Sequence, residues 1–540
     1  MATRDIAKPN SYAYIKNLLE HWHDFRLQLA IEGIFAGAFA GLVVVCFRLI
    51  LAWSGPQRDK MFAFLHSAAF GWTMLLFAVL VGIGFILSWI VRMAPMATGS
   101  GIPQVKGILA GLLEAGSWVK IIGAKFVGGI LGIGVAGLSM GREGPSVQLG
   151  AAAGQGVSRL LRRPPLEEKY LLTSGAAAGL SAAFNAPLAG VVFALEELHK
   201  NFSPVVLAST VAASVTADFV TRFVFGQDPV FNFHNIPLMP FHYYLYVVLL
   251  GLIIGAFGVV FNSTLIKSQI FYEKMPAWTR RFKPMLPLVI AGFLGFFLPQ
   301  VMGGGARLIN SLPKMHYVLY MLLIILAGKF IFTMLCYGTG VPGGIFMPLL
   351  TIGAVAGNVY GSVAAQYLHV DPVYVNNFII LAMAAYFSAI VKAPVTGSIL
   401  ILEMTGRFEQ LLPLIAVCLS AYIASDLLEG KPVYDVLLNR MLAKQKQPRE
   451  LIPQESLEEK HILEKVVGLE APVCNRKICD IEWPKNSLLV GIRRGDSELI
   501  PARDTVIHPG DYLIVMSGAE KLPHVYSVLQ ELTGEEKFAH

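Results

Sequence analysis

Charged residues are scarce in this sequence. Lys, Arg, Asp and Glu make up 15% of its 540 residues, whereas apolar residues make up 55%, and both values lie outside the usual composition of soluble proteins. Four stretches contain no charged residue and are long enough to cross the ~30 Å hydrocarbon core of a bilayer. They are residues 70–91, 229–266, 285–306 and 330–370. The composition therefore predicts a polytopic membrane protein whose partner is the lipid bilayer.

Motifs of two enzyme classes are missing as well. The chain contains no Walker-type loop for nucleoside triphosphates and no His-Glu-x-x-His pair for zinc catalysis. Cysteine is rare: three of the five residues lie in apolar stretches, so no disulfide framework is indicated. The other two, Cys474 and Cys479, have a spacing that is atypical of zinc sites. We expect neither an enzyme nor a site for a metal or cofactor.

The few charges are placed unevenly. Of the 79 charged residues, 29 lie within residues 441–540, which indicates that a membrane-embedded body ends near residue 440. The predicted organisation is a cytoplasmic segment (1–24), a membrane domain (25–440), a linker (441–460) and a small cytoplasmic domain (461–540).

Basic residues flank the apolar segments and explain the net charge of +7, so we do not interpret that charge as a nucleic-acid-binding surface. They include Arg4, Lys8, Lys16, Arg162, Arg163, Lys431 and Arg440. By the positive-inside rule, this distribution predicts that both termini are cytoplasmic. The expected location is the inner membrane of a bacterium.

The membrane domain contains an internal repeat. The block 145–154, Pro-Ser-Val-Gln-Leu-Gly-Ala-Ala-Ala-Gly, recurs as Pro-Leu-Leu-Thr-Ile-Gly-Ala-Val-Ala-Gly at 348–357. A second pair of blocks ends at Glu196 and Glu403, each nine residues after an Ala-Pro helix start, and this indicates a shared structural role. Such symmetry is typical of transporters whose site forms between two halves. The alternative is convergent use of small residues in packed membrane helices.

Clusters of glycine and proline stand immediately before three apolar runs, at residues 99–103, 141–145 and 340–348, and are helix-start signals. Proline is well tolerated in the first turn of a helix, where its missing N–H has no intrahelical partner, and glycine permits close backbone approach. The exposed N–H groups and the positive end of the helix dipole can then bind an anion. Three such starts near the bilayer centre predict a site for a small anion without fixed positive side chains.

Glu143 lies between glycines inside this apolar region. An ionised acid at bilayer depth costs roughly 2.5–3.5 kcal/mol, and such residues usually line an ion or proton path. The alternative is a loop acid at the water boundary.

These motifs resemble the CLC family of chloride channels and chloride/proton exchangers, and the resemblance covers about residues 25–440. It rests on three signatures in the family's order, followed by the segment Lys431-Pro-Val-Tyr434. The signatures are Gly99-Ser100-Gly101-Ile102-Pro103, Gly141-Arg142-Glu143-Gly144-Pro145 and Gly344-Ile345-Phe346-Met347-Pro348. The resemblance implies an all-α membrane fold of two inverted, repeated halves that assembles as a homodimer.

The resemblance also implies roles for individual residues. The hydroxyls of Ser100 and Tyr434 would coordinate the central anion, together with backbone N–H groups of Ile345 and Phe346. Gly101 and Ile102 would also belong to the anion-binding site. Glu143 would be the external gate, whose carboxylate occupies an anion site when ionised and leaves it when protonated. Ser100 accompanies chloride in the family, so chloride is the expected anion and protons the expected counter-substrate.

Glu197 matches the family's internal proton acceptor. Family members that act as passive channels commonly carry an apolar residue there, so the resemblance favours chloride/proton exchange. A passive chloride channel, gated by voltage or pH, is the alternative function. For Glu197 itself, the alternative is a helix-end acid that faces the cytoplasm.

The tail changes from helical to strand periodicity. Residues 487–493 and 511–516 are predicted strands, with a turn at 494–496 between them, and 522–532 is a predicted helix. The tail resembles the TrkA-C regulatory domain over roughly 461–535, which implies a small α/β unit that binds an unidentified small regulatory ligand or serves assembly. A cation-uptake subunit is a third possibility, but the membrane domain lacks a Thr-Val-Gly-Tyr-Gly filter.

Overall fold

A computed structural model describes most of the chain. The described residues are 11–200, 204–231, 233, 236–276, 279–315, 317–445, 460–468, 471–484, 487–494, 497–518 and 522–534. Residues 1–10 of the predicted N-terminal segment, residues 446–459 of the predicted linker and residues 495–496 of the predicted turn lie outside them. The chain divides into two compact units, Met1–Lys444 and Gln445–His540.

Helices dominate the first unit. Its first half contains α1 (Ser11–Ser67), α2 (Phe70–Met93), α3 (Ile102–Leu109), α4 (Trp118–Gly129), α5 (Glu143–Leu160), α6 (Pro165–Phe184), α7 (Pro187–Phe193) and α8 (Pro204–Phe225). Its second half contains α9 (Tyr244–Lys274), α10 (Met285–Phe297), α11 (Ala306–Ser311), α12 (Leu319–Gly338), α13 (Phe346–Tyr367), α14 (Val375–Val391), α15 (Pro394–Thr405), α16 (Leu411–Leu427) and α17 (Val433–Gln445). Helices α4 and α7 each continue into a π-helical turn, Ile130–Val135 and Ala194–His199.

Nine of the described helical segments are long and apolar enough to cross a membrane. They correspond to α1, α2, α4, α8, α9, α12, α13, α14 and α16, some with a short helical extension. Helices α5, α13 and α14 are buried along most of their length and form the centre of the unit. The polytopic helical fold predicted from composition is confirmed.

Small residues bring the central helices together. A Cβ on Gly150 of α5 would lie 2.8 Å from Cα of Gly179 on α6, so the two backbones approach more closely than any side chain allows. Helices α1 and α8 meet in the same way, since a Cβ on Gly37 would lie 2.7 Å from Cα of Ala213. Because lipid and leucine are equally apolar, close backbone packing rather than burial of apolar surface drives such association.

Two buried lysines occupy matching places in the two halves. Lys125 on α4 donates to the carbonyl oxygens of Ala97 (3.0 Å) and Gly99 (2.6 Å). Lys329 on α12 donates to those of Val301 (3.0 Å) and Gly303 (2.6 Å). The donors and all their acceptors are offset by the same 204 positions. The internal repeat is therefore present in the hydrogen bonding as well as in the sequence.

The second unit is a small antiparallel sheet with one described helix. The strands are β1 (Lys460–Val466), β2 (Ser487–Arg494), β3 (Ser497–Leu499) and β4 (Tyr512–Gly518), in the order β1-β4-β2-β3. The helix α18 (Leu522–Thr533) contributes Val525 and Leu529 to a separate core that also contains Leu513 and Val515. The predicted α/β unit is confirmed, and β1 and β3 are additions to the two predicted strands.

Candidate functional site

The glycine loops before α5 and α13 pair through their backbones. Gly141 N–H donates to Gly344 O at 2.6 Å, and Gly344 N–H donates to Gly141 O at 2.8 Å. The loop before α3 joins them, because Gly99 N–H donates to Gly340 O and Gly343 N–H donates to Gly99 O, both at 3.0 Å. The starts of α3, α5 and α13 therefore lie together at the centre of the unit, although they are up to 244 positions apart in the sequence.

Glycine is required where these loops touch. A Cβ on Gly144 would lie 3.0 Å from the carbonyl oxygen of Ser100 and 3.1 Å from Cα of Gly344, so this position contacts both other loops. Gly101 has a φ of 93°, in the left-handed region that favours glycine, and Pro103 follows in the first turn of α3. The three signatures thus form one packed junction, which also contains Ile102, Pro145 and Pro348 as fully buried residues.

Two hydroxyl groups at this junction are buried without a hydrogen-bond partner among the described residues. They are Ser100 Oγ, directly before Gly101 and α3, and Tyr434 Oη, at the start of α17. The residues are 1% and 0% exposed. An unpaired buried hydroxyl costs about 1–3 kcal/mol of desolvation, so each of these two groups needs an explanation such as a bound ion. Each can donate its proton to an anion.

The backbone around α13 adds further donors. Ile345 and Phe346 are fully buried and occupy the start of this helix, where the first N–H groups have no intrahelical acceptor. The Phe346 ring lies in an aromatic cluster with Phe184 (5.2 Å between ring centroids) and Phe387 (4.7 Å), which fixes its position. The arrangement favours negative charge through both hydrogen bonding and the helix dipole.

Glu143 is the first residue of α5 and is 0% exposed. Neither carboxylate oxygen makes a hydrogen bond of regular geometry with a described residue, and Arg142 Nε lies 3.7 Å from Glu143 Oε1. The residue borders a cavity of about 1000 Å³ whose lining also includes Arg58 and Arg307. A complete lack of exposure disfavours the interpretation as a solvated loop acid.

Glu197 is also buried, at 3% exposure, on the π-helical turn Ala194–His199. Lys106 Nζ lies 2.6 Å from Glu197 Oε1, and the same ammonium group forms an ion pair with Asp435. Burial and a specific counter-charge disfavour the alternative of an acid at a helix end that faces water.

A family profile described as "Voltage gated chloride channel" matches residues 83–426, well over half of the chain. The chain belongs to this family, the CLC family. A second profile, the TrkA-C domain, matches residues 462–530. With nine apolar helices among the residues that the structure describes, this CLC protein is a multi-pass integral membrane protein that carries a TrkA-C domain.

Curated relatives match most of the CLC protein. The H(+)/Cl(−) exchange transporter ClcA of Yersinia pseudotuberculosis is 35% identical over 432 residues, which cover 78% of this chain and 90% of that protein. The ClcA of Vibrio parahaemolyticus is 35% identical over 427 residues, which cover 77% and 91%.

Solved structures show the same fold. A slow cyanobacterial Cl⁻/H⁺ antiporter superposes with a TM-score of 0.73 at 30% identity, covering 78% of this chain and 99% of that one. A CLC-type fluoride/proton antiporter superposes with a TM-score of 0.64 at 23% identity, covering 76% and 97%.

Lys106 and Asp435 are the residues of this site that sequence reasoning missed. The only local signal was a lysine within the otherwise uncharged helix α3 (Ile102–Leu109). Asp435 directly follows Tyr434, but nothing in the sequence indicates that it pairs with a residue 329 positions earlier.

Residues 137–141, Gly-Leu-Ser-Met-Gly, match the letters of a Gly-x-Ser-x-Gly nucleophile motif. Ser139 is completely buried, and its hydroxyl lies 2.8 Å from that of Thr333. It is therefore not displayed on a turn as a nucleophile.

Proposed function

We propose that this CLC protein exchanges chloride for protons across the membrane. One observation carries the proposal: two carboxylates, Glu143 and Glu197, are buried within the membrane unit, at 0% and 3% exposure. An anion site alone needs neither acid, whereas proton exchange needs groups that bind and release a proton inside the protein. The similarity to two H(+)/Cl(−) exchange transporters and to a Cl⁻/H⁺ antiporter supports the same function.

In the proposed cycle, chloride binds between the hydroxyls of Ser100 and Tyr434 and the first N–H groups of α13. Glu143 is the outer gate: its ionised carboxylate occupies an anion site next to the start of α5, and its protonated form withdraws toward the outer cavity. Glu197 is the inner acceptor that passes protons between the cytoplasm and Glu143. Because one carboxylate competes with the anion, proton binding and anion entry are linked.

The remaining features of the proposal concern organisation. Two copies form a homodimer, each with its own pathway, in the inner membrane of a bacterium with both termini cytoplasmic. The transport domain spans residues 25–440, and the domain at 461–540 binds a small regulatory ligand.

The test uses the purified full chain in chloride-loaded liposomes, with chloride efflux and external pH recorded together and valinomycin present to clamp the voltage. Exchange predicts that the chloride gradient drives protons uphill into the liposomes. Chloride efflux without proton movement would instead establish the passive channel. Absence of any chloride flux would contradict both functions.

A further inference from the structure

Four side chains of alternating charge form a continuous series beside Tyr434. Glu197 pairs with Lys106 at 2.6 Å, Lys106 pairs with Asp435, and Asp435 Oδ2 pairs with Lys200 Nζ at 2.8 Å. The exposed fraction of these side chains rises in the same order, from 4% to 7%, 27% and 55%. The series therefore runs from the interior toward solvent.

Lys106 is the member that joins different elements of the site. It lies on α3, which begins directly after the Ser100–Gly101 loop, and Asp435 lies on α17 directly after Tyr434. The Lys106–Asp435 ion pair therefore connects the segment that carries the Ser100 hydroxyl to the segment that carries the Tyr434 hydroxyl. Glu197 belongs to a third element, the turn that follows α7.

A single ammonium group thus has two carboxylate partners that belong to different parts of the mechanism. When Glu197 is ionised, Lys106 is shared between Glu197 and Asp435. When Glu197 takes up a proton, it loses its charge, and the ammonium is then held mainly by Asp435. The strength of the Lys106–Asp435 ion pair, which connects α3 to α17, must therefore change when Glu197 gains or loses a proton.

We propose that Lys106 is a positioning residue that links the proton on Glu197 to the spacing of the two anion-coordinating hydroxyls. The inference rests on the proposed exchange function and adds a coupling element to it. Protonation of Glu197 strengthens the ion pair between Lys106 and Asp435. Helix α17, with Tyr434, then moves toward the loop that carries Ser100. The affinity of the site for the anion then depends on the proton on Glu197, although the anion does not contact Glu197.

The charged groups around this series are few. Lys106, Asp435 and Lys200 act on Glu197, and the two lysines act on Asp435. His199, two residues from Glu197, is influenced by Lys169 of α6 instead. Lys106 is therefore the counter-charge whose removal leaves the Glu197 carboxylate without a direct partner, since Lys200 contacts Asp435.

The experiment compares three variants of the full chain in the liposome assay. Lys106→Met keeps the length of the side chain and removes its charge, Lys106→Arg keeps the charge, and Lys392→Met is the matched control. Lys392 has the same side-chain exposure as Lys106, 7%, and also pairs with an aspartate, Asp426, at 3.0 Å. Chloride binding by calorimetry reports whether each variant retains a folded anion site.

Lys106→Met is expected to lower chloride-driven proton uptake about tenfold relative to chloride efflux and to shift the pH profile of proton uptake. Lys106→Arg should restore most of the coupling, and Lys392→Met should behave like the unmodified protein. In a Glu197→Gln background, Lys106→Met should cause no further loss of proton uptake, because it acts through Glu197.

The outcomes separate the two proposals. If the unmodified protein moves chloride without protons, the exchange function fails, and the role of Lys106 fails with it. If the unmodified protein exchanges and Lys106→Met leaves both the coupling and the pH profile unchanged, only the role of Lys106 is overturned. An equal loss in the Glu197→Gln background would identify Lys106 as a purely structural residue and would also overturn the proposal.

Discussion

Glu403 caps helix α7, which leads to Glu196, and Glu196 caps helix α15, which contains Glu403. The Glu403 carboxylate accepts hydrogen bonds from the N–H groups of Leu188 (3.1 Å) and Ala189 (2.8 Å) at the start of α7. The Glu196 carboxylate accepts them from Val395 (3.3 Å) and Thr396 (2.7 Å) at the start of α15. Both helices begin with proline, and neither first residue offers a side chain that caps its own helix. The shared structural role predicted from the repeat is confirmed.

Removal of either cap should destabilise the membrane unit. Glu196→Ala and Glu403→Ala are each expected to lower the free energy of unfolding by about 1–2 kcal/mol, because two helix N–H groups lose their acceptor. Thermal unfolding in detergent measures the change. Glu409→Ala, at an exposed acid, is the control and should stay within about 0.5 kcal/mol. Equal effects of all three variants would contradict the capping role.

Glu143→Gln should separate anion movement from proton movement. The amide keeps the shape of the side chain but can neither mimic an anion nor carry the proton, so chloride efflux should persist while uphill proton uptake falls to background. The liposome assay with simultaneous chloride and pH recording measures both. Glu114→Gln, at an exposed acid, should leave both fluxes unchanged. Preserved proton uptake in Glu143→Gln would remove this residue from the gate.

The two repeat-related lysines should differ in function although their hydrogen bonds match. Lys125→Met and Lys329→Met each leave two buried carbonyl groups without their donor, so each is expected to cost about 1–3 kcal/mol of unfolding free energy. Only Lys125→Met should also weaken chloride binding, because one of its acceptors, Gly99, directly precedes Ser100. Calorimetry with chloride distinguishes the variants. Equal affinities would show that the Gly99 contact does not position Ser100.

The tail should lose stability in acid. Burial acts to raise the pKa of Asp511, but hydrogen bonds from Arg494 (2.7 and 2.8 Å) and His508 N–H (2.8 Å) outweigh it and hold the pKa below its usual value. A depressed folded pKa stabilises the fold above the unfolded value of about 3.9, and this contribution is lost as the pH falls through the folded pKa.

Fluorescence of Trp483, the only tryptophan of residues 445–540, can follow urea unfolding of this unit across that pH range. Asp511→Asn should be less stable at neutral pH and should show a flatter dependence on pH. The same slope in both proteins would mean that other carboxylates cause the acid sensitivity.

Local features of the fold were predictable from the sequence, whereas long-range pairings were not. Strand β2 and helix α18 lie within one or two residues of their predicted bounds, because period and turn residues are local signals. Strand β1 was missed because Lys460–Val466 lies at the edge of a charged stretch that was interpreted as a linker. The partners of Lys125 were not predictable either, since a buried lysine usually implies a carboxylate and here meets two carbonyl groups.

The paired glycine loops allow the two halves of the membrane unit to carry different side chains at matching positions. Gly141 and Gly344 are joined by main-chain atoms alone, so these two hydrogen bonds do not depend on the side chain two positions later in each loop. At the matching third positions of the two signatures, one half has the acid Glu143 and the other the aromatic Phe346. The two repeated glycine loops thus place a carboxylate and an aromatic ring at equivalent positions. A nearly symmetric main-chain junction therefore carries a carboxylate on one side and an aromatic ring on the other.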